Sequence, residues 1–106
     1  MAKYLLHASY SAEGSKGLLK DGGTKRVNAA RALIESLGGK LESLYFAFGD
    51  VDVVAIVDLP DHASAAAASL AIAGTGALTG KMTVLLTPED IDQAARKSPS
   101  YTAPGR

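Results

Sequence analysis

Five side chains in this sequence have the chemistry to grip or transform a small molecule: His7, Tyr10, Arg26, Tyr45 and Asp52. Arg26 carries the strongest argument. Val27, Ala30, Leu33, Ile34 and Leu37 recur at helical spacing and define an apolar face. At about 100° per residue, Arg26 falls within that face, about 45° from its centre, whereas Lys25 and Arg31 lie outside it. An inward guanidinium must meet a carboxylate or bind an anion, because unpaired buried charge is expensive. Arg26 is therefore either a structural ion-pair member, its stem packed at a helix start, or a clamp for an acidic ligand group. Asp52 opens a strand-like run and is a candidate partner for Arg26 or His7, or a general base in a cleft. His7 is the only histidine in a strand-like run. It either moves protons near neutral pH or is a hydrogen-bonded structural residue. Tyr10 and Tyr45 line a cleft or pack the core. Asp50 suits a turn, bonding to local backbone. Asp50 and Asp52 on one strand would point to opposite faces, which makes a poor metal site.

Other chemistries are missing. The chain has no cysteine, so disulfides, thiolate catalysis and cysteine zinc sites are excluded, and a reducing cytoplasm is the expected setting. Gly14, Gly17, Gly22 and Gly23 lack the Lys-Ser/Thr ending of a phosphate loop and do not match a dinucleotide fingerprint. There is no serine nucleophile elbow and no Cys/His cluster. No cofactor or metal is expected. Lys plus Arg equals Asp plus Glu at 11 each, so nothing draws the chain to nucleic acid or an anionic membrane. Zero net charge also weakens the barrier to self-association. The start, Met1-Ala2-Lys3-Tyr4, does not read as a signal peptide, and no apolar run is long enough for a membrane span.

The elements that must position these residues are legible along the 106 residues, 47% of them hydrophobic, which suits one domain. Tyr4 to Tyr10 reads as a strand. Ser11 to Gly23 reads as a short helical turn and a loop. Thr24 is placed to cap a helix running to about Leu37, stopped by Gly38-Gly39. Leu41 to Val57 reads as a hairpin, with Gly49-Asp50 as a two-residue type II′ turn and a second strand from Val51 to Val57. Asp61 caps an alanine-rich helix from His62 to about Ala73, able to approach a sheet closely. Lys81 to Leu86 is a last strand. Thr87-Pro88-Glu89-Asp90 starts a short helix ending near Lys97. The domain spans 1–97, followed by an extended tail, 98–106.

This order is α+β: a ferredoxin-like βαββαβ arrangement, with both helices on one face of a four-stranded antiparallel sheet. Alternation puts Lys3, Leu5, His7 and Ser9 on one face of the first strand and Tyr4, Leu6, Ala8 and Tyr10 on the other. In the third strand, Val51, Val53, Ala55 and Val57 oppose Asp52, Val54, Ile56 and Asp58. Both faces of that strand are substantially apolar, so the face without helices needs a second cover. The expected partner is a second copy, sheet against sheet, with the tail lying across the partner or the open edge.

Tyr10-Ser11-x-x-Gly14, the Arg26 helix, Gly38-Gly39-Lys40, Gly49-Asp50-x-Asp52 and Pro60-Asp61 together resemble the GYD domain family of small bacterial proteins. No one of these motifs is specific; their order and spacing are. The resemblance runs from Tyr4 to about Tyr101. It implies a ferredoxin-like fold forming a dimeric α/β barrel, and it brings no defined reaction. The family signature usually has Tyr before its second Asp, where this chain has Val51. The wider dimeric α/β-barrel group includes cofactor-free oxygenases, small isomerases, dehalogenase-like proteins and ligand-sensing modules, an analogy of fold only. The expected function is a homo-oligomeric module binding an anionic or carbonyl-bearing small molecule between sheet and helices. The alternatives are a cofactor-free oxygenase or isomerase, and an assembly protein with no pocket.

Overall fold

Gly22, Gly38 and Asp61 mark the joints of the chain, and each works through identifiable backbone chemistry. The computed structural model describes all residues, 1–106. Its elements run β1 (Ala2–Tyr10), α1 (Ala12–Asp21), α2 (Gly23–Ser36), β2 (Lys40–Phe46), β3 (Val53–Leu59), α3 (His62–Gly74), β4 (Leu78–Leu85) and α4 (Pro88–Lys97). The sheet is antiparallel with strand order β2-β3-β1-β4. This is the expected ferredoxin-like sheet, with an additional helix after β1.

That helix corrects the expectation of a short helical turn and a loop between Ser11 and Gly23: the whole segment Ala12–Asp21 is helical. Ser11 caps it, its hydroxyl accepting from the Gly14 N–H at 3.1 Å. Gly14 is tolerated because it is needed: a Cβ there would drive into the Ala77 carbonyl. Because α1 runs to Asp21, Thr24 is not a cap. The chain turns at Gly22, at φ 83°, and α2 starts at once with no side-chain cap. At its other end the stop is a Schellman motif. Gly38, at φ 79°, sends its N–H to Glu35 O, and Gly39 sends its N–H to Ile34 O, both at 3.0 Å.

The hairpin is also wider than a two-residue turn. Its strands end at Phe46 and resume at Val53, and Ala47 N–H donates to Asp52 O at 2.8 Å. Gly49 does not take the positive φ that a type II′ turn requires. The cause lies on the neighbouring strand: β1 draws Asp52 away from the turn, its N–H donating to Ala8 O at 2.9 Å. α4 forms as expected, with a reciprocal capping box between Thr87 and Asp90 and Pro88 in its first turn.

On β3, Val53, Ala55, Val57 and Leu59 are buried under the helices, and Val54, Ile56 and Asp58 alternate onto the other face. Tyr4, Ala8, Ile34, Leu41, Ala65 and Ala68 complete the core. Alanines let α3 sit close to the sheet. This core is small: 11 of 106 residues are buried, which leaves much apolar surface in contact with water. On the open face, Lys3 Nζ bridges Asp58 at 2.9 Å and Glu42 at 3.2 Å, tying β1, β3 and β2. A register shift between Leu41 and Ser43 makes room for Glu42 there. These bonds, first to Asp58 and then to Glu42, raise the Lys3 pKa.

Gly39→Ala should destabilise the protein by about 1–3 kcal/mol in urea unfolding, because its Cβ meets the Asp58 carbonyl and lies 2.7 Å from Leu59 Cδ2. Gly49→Ala, with open space around it, should leave the midpoint unchanged. The cap of α3 predicts an acid limb. Asp61 accepts from the Ser64 N–H at 2.7 Å, and hydrogen bonding to Ser64, first through its side chain and then through this N–H, lowers the Asp61 pKa. Its stabilisation is thus present above the unfolded-state carboxylate pKa and is lost as pH falls through the lower folded value. Thermal unfolding followed from pH 6 downward should show a shallower acid loss in Asp61→Ala, which also melts lower at neutral pH.

Candidate functional site

A cavity of about 460 Å³ lies between the sheet and the three helices α1, α2 and α3. Small residues on each helix help to leave it open, beside larger ones such as Leu18, Leu33 and Ile72: α1 presents Gly14 and Gly17, α2 presents Ala29 and Ala30, and α3 presents Ala71. Gly17 has open space around it, so leucine there would take up part of the cavity. The sheet contributes Leu6, Ala8 and Val53, and the interior is largely apolar. Polar groups are few: Tyr10, Glu13, Asp21, Arg26 and Thr75.

Arg26 stands on the first turn of α2 and is partly exposed. Its partner is Asp21, at the end of α1, at 3.6 Å. Lys25 approaches the same carboxylate at 3.5 Å. The pairing balances charge across the α1–α2 joint, yet the Arg26 side chain makes no hydrogen bond at ordinary distance. Its donors stay available at the cavity wall. Phe46 flanks the same region, its ring packed over Gly23, where an added Cβ would come within 3.2 Å.

The five residues singled out by type separate in space. Tyr10 and Arg26 line the cavity together. His7 sits on the opposite face of the sheet, between Val54 on β3 and Lys81 on β4. Tyr45 shares that open face, opposite Val54, and is exposed. Asp52 pairs with neither Arg26 nor His7. Its Oδ2 accepts from the Tyr10 N–H at 2.8 Å, pinning the hairpin to the end of β1. Glu13 and Gly17 are not evident as site residues from the sequence, since both lie on a helix that reads there as a short turn and a loop. The signal that would have revealed them is Ser11-x-x-Gly14 read as a helix start, with Leu18 four residues beyond Gly14 on the same side.

A second polar contact lies away from the cavity. The hydroxyl of buried Tyr4 hydrogen-bonds to Nδ1 of His62 at 2.7 Å, with the rings edge to face. It joins β1 to the first turn of α3. No group of three or more His, Asp or Glu side chains is placed to hold a metal ion, and no helix is long and apolar enough to cross a membrane.

An α+β sheet of this order with helices on one face and a cleft between the layers defines a class of small ferredoxin-like domains. Within that class the chain belongs to the GYD domain family, whose model matches residues 4–95. Comparisons with curated proteins and with solved structures yield no match.

Asp52→Ala should cost roughly 1.5–3 kcal/mol, the range for a hydrogen bond to a charged group. The same substitution should speed hydrogen exchange at the Tyr10 amide. Unchanged exchange there would show that the hairpin holds without this bond.

Proposed function

We propose that the protein is a homo-oligomeric module that takes up a small, mostly apolar molecule bearing a carbonyl or carboxylate group. The body of the ligand occupies the cavity between sheet and helices, and its oxygen faces Arg26. The observation that carries this reading is the Arg26 guanidinium at the wall of an apolar cleft, close to an acid but with hydrogen-bond donors unspent. Asp21 nearby offsets its charge. A carbonyl or a single carboxylate therefore suits the site better than a multiply charged anion.

An enzyme that moves protons needs a base at the cavity. His7 faces the other side of the sheet, and Asp52 is committed to the Tyr10 N–H. Of the two carboxylates at the cavity, Asp21 is shared by Lys25 and Arg26, and Glu13 is exposed beside Lys16 rather than in a water-poor recess. Binding is thus favoured over turnover.

The homo-oligomeric part of the reading rests on the open sheet face. Leu5, Val54 and Ile56 are neighbours across β1 and β3 there, and none is fully buried. A second copy covers this face sheet to sheet, as the small core of the single chain favours. A cysteine-free, uncharged chain suits a reducing cytoplasm.

Titration with anilinonaphthalene sulfonate, followed by competition with medium-chain carboxylates and the matching aldehydes, tests the site. Gly17 has open space around it, so Gly17→Leu should fold normally and abolish uptake. Arg26→Gln should weaken carboxylate competition roughly tenfold, the worth of one charge-assisted bond. Equal uptake by wild type and Gly17→Leu would place the bound molecule elsewhere and overturn the reading.

A further inference from the structure

α4 is a well-made helix with nothing to lean on. Its capping box is complete, acids occupy its first turn and bases its last. Yet all ten of its residues are exposed, and it has no substantial contact with any other element. A helix of this length is marginal alone in water and takes its stability from packing an apolar face. The chain as a whole shows the same departure. Its radius of gyration is 17.0 Å, against about 13 Å for a compact domain of this length.

The sides of α4 are unequal. At about 100° per residue, Ile91, Ala94 and Ala95 form one stripe, with Asp90 and Asp92 on its two borders and Glu89, Gln93 and Arg96 behind. A surface that fits this stripe is apolar in the middle and basic alongside. The open sheet face has that character: Leu5 and Ile56 lie side by side across β1 and β3, and one step along β1 on the same face His7 stands beside Lys81. α4 meets its own chain only at its first turn, where Asp90 lies near the start of β1, and has no substantial contact with this face. The Thr87–Asp90 capping box sets the direction in which the helix leaves β4, with Thr87 N–H donating to Asp90 at 3.0 Å and Asp90 N–H to the Thr87 hydroxyl at 3.1 Å.

We propose that α4 is an arm for a second copy of this chain. Its Ile91 stripe lies along the margin of the partner's open sheet face, with Asp92 against the His7–Lys81 row, and the two copies exchange arms reciprocally. The inference rests on the sheet-to-sheet reading above and extends it. The sheets cover each other's open face over Val54 and Ile56 on β3, and the arms cover Leu5, His7 and Lys81 on the β1–β4 side. Two-fold exchange uses the same patch twice, as an isologous interface requires.

The test is sedimentation equilibrium of the full chain, combined with hydrogen exchange of α4 above and below the dissociation midpoint. Ile91 is half exposed on a helix with no substantial contact to another element, so Ile91→Asp should leave the fold intact by circular dichroism. It should raise the dimer dissociation constant roughly tenfold or more, as removal of a central apolar contact does. Asp92→Lys and Lys81→Glu should each weaken the dimer, and the two together should restore it. α4 amides should be protected only in the dimer. A dimer whose dissociation constant is unmoved by Ile91→Asp, with α4 amides unprotected, overturns the arm and leaves the sheet interface standing. A full-length chain that stays monomeric up to millimolar concentration overturns both.

Discussion

The structure depends on one asymmetry: a four-stranded sheet that is apolar on two faces and has helices on one. Alternation along β3 sends Val53, Ala55, Val57 and Leu59 under the helices and Val54 and Ile56 to the other side. Burial of apolar area is the dominant favourable term in folding. Everything else in the fold follows from how the helix side is closed and the other side is not. The right-handed crossovers leave α1, α2 and α3 no alternative to sharing one face. The charged tie of Lys3 to Asp58 and Glu42 marks the end of the open face near the start of β1.

On the covered face, the same sequence feature serves packing and emptiness. Ala65 and Ala68 on α3 are fully buried and bring that helix close to the sheet. One turn further along, Ala71 faces a void, and Gly17 and Ala30 face it from the other helices. Small residues give intimate contact where elements converge and leave a cleft where they diverge. The divergence is set by α1, whose start is held by Ser11 and by the close approach of Gly14 to Ala77. The cleft and the joint at Gly22 are therefore one construction, and Arg26 and Asp21 face each other because that joint is a single residue.

Local chemistry made much of the fold legible. Asp61, Thr87-Pro88 and Gly38-Gly39 act within a few residues of themselves, and each ends or starts a helix where its type says it should. The alternation on β1 and β3 follows from a pattern of that short range, and the order and spacing of such local motifs along the chain carry the fold class and the family. The errors have long-range causes. The hairpin turn was misjudged because Asp52 is bonded to Ala8 and Tyr10 on another strand. α1 was misjudged because glycine disfavours a helix locally, and only contact with Ala77, more than sixty residues away in the chain, explains why Gly14 is there.

The candidate site shows the same division. The sequence by itself determined that Arg26 lies toward the sheet, because helical period alone sets that direction, and that the open face carries apolar residues, because strand period sets that one. Only the tertiary structure decided which groups meet. It put His7 and Tyr45 on the far side of the sheet, spent Asp52 on a backbone N–H, and gave Arg26 to Asp21 beside a cavity. Periodicity fixes the face a side chain takes, whereas its partners depend on how separate elements are brought together, and that information is spread over residues far apart in the chain.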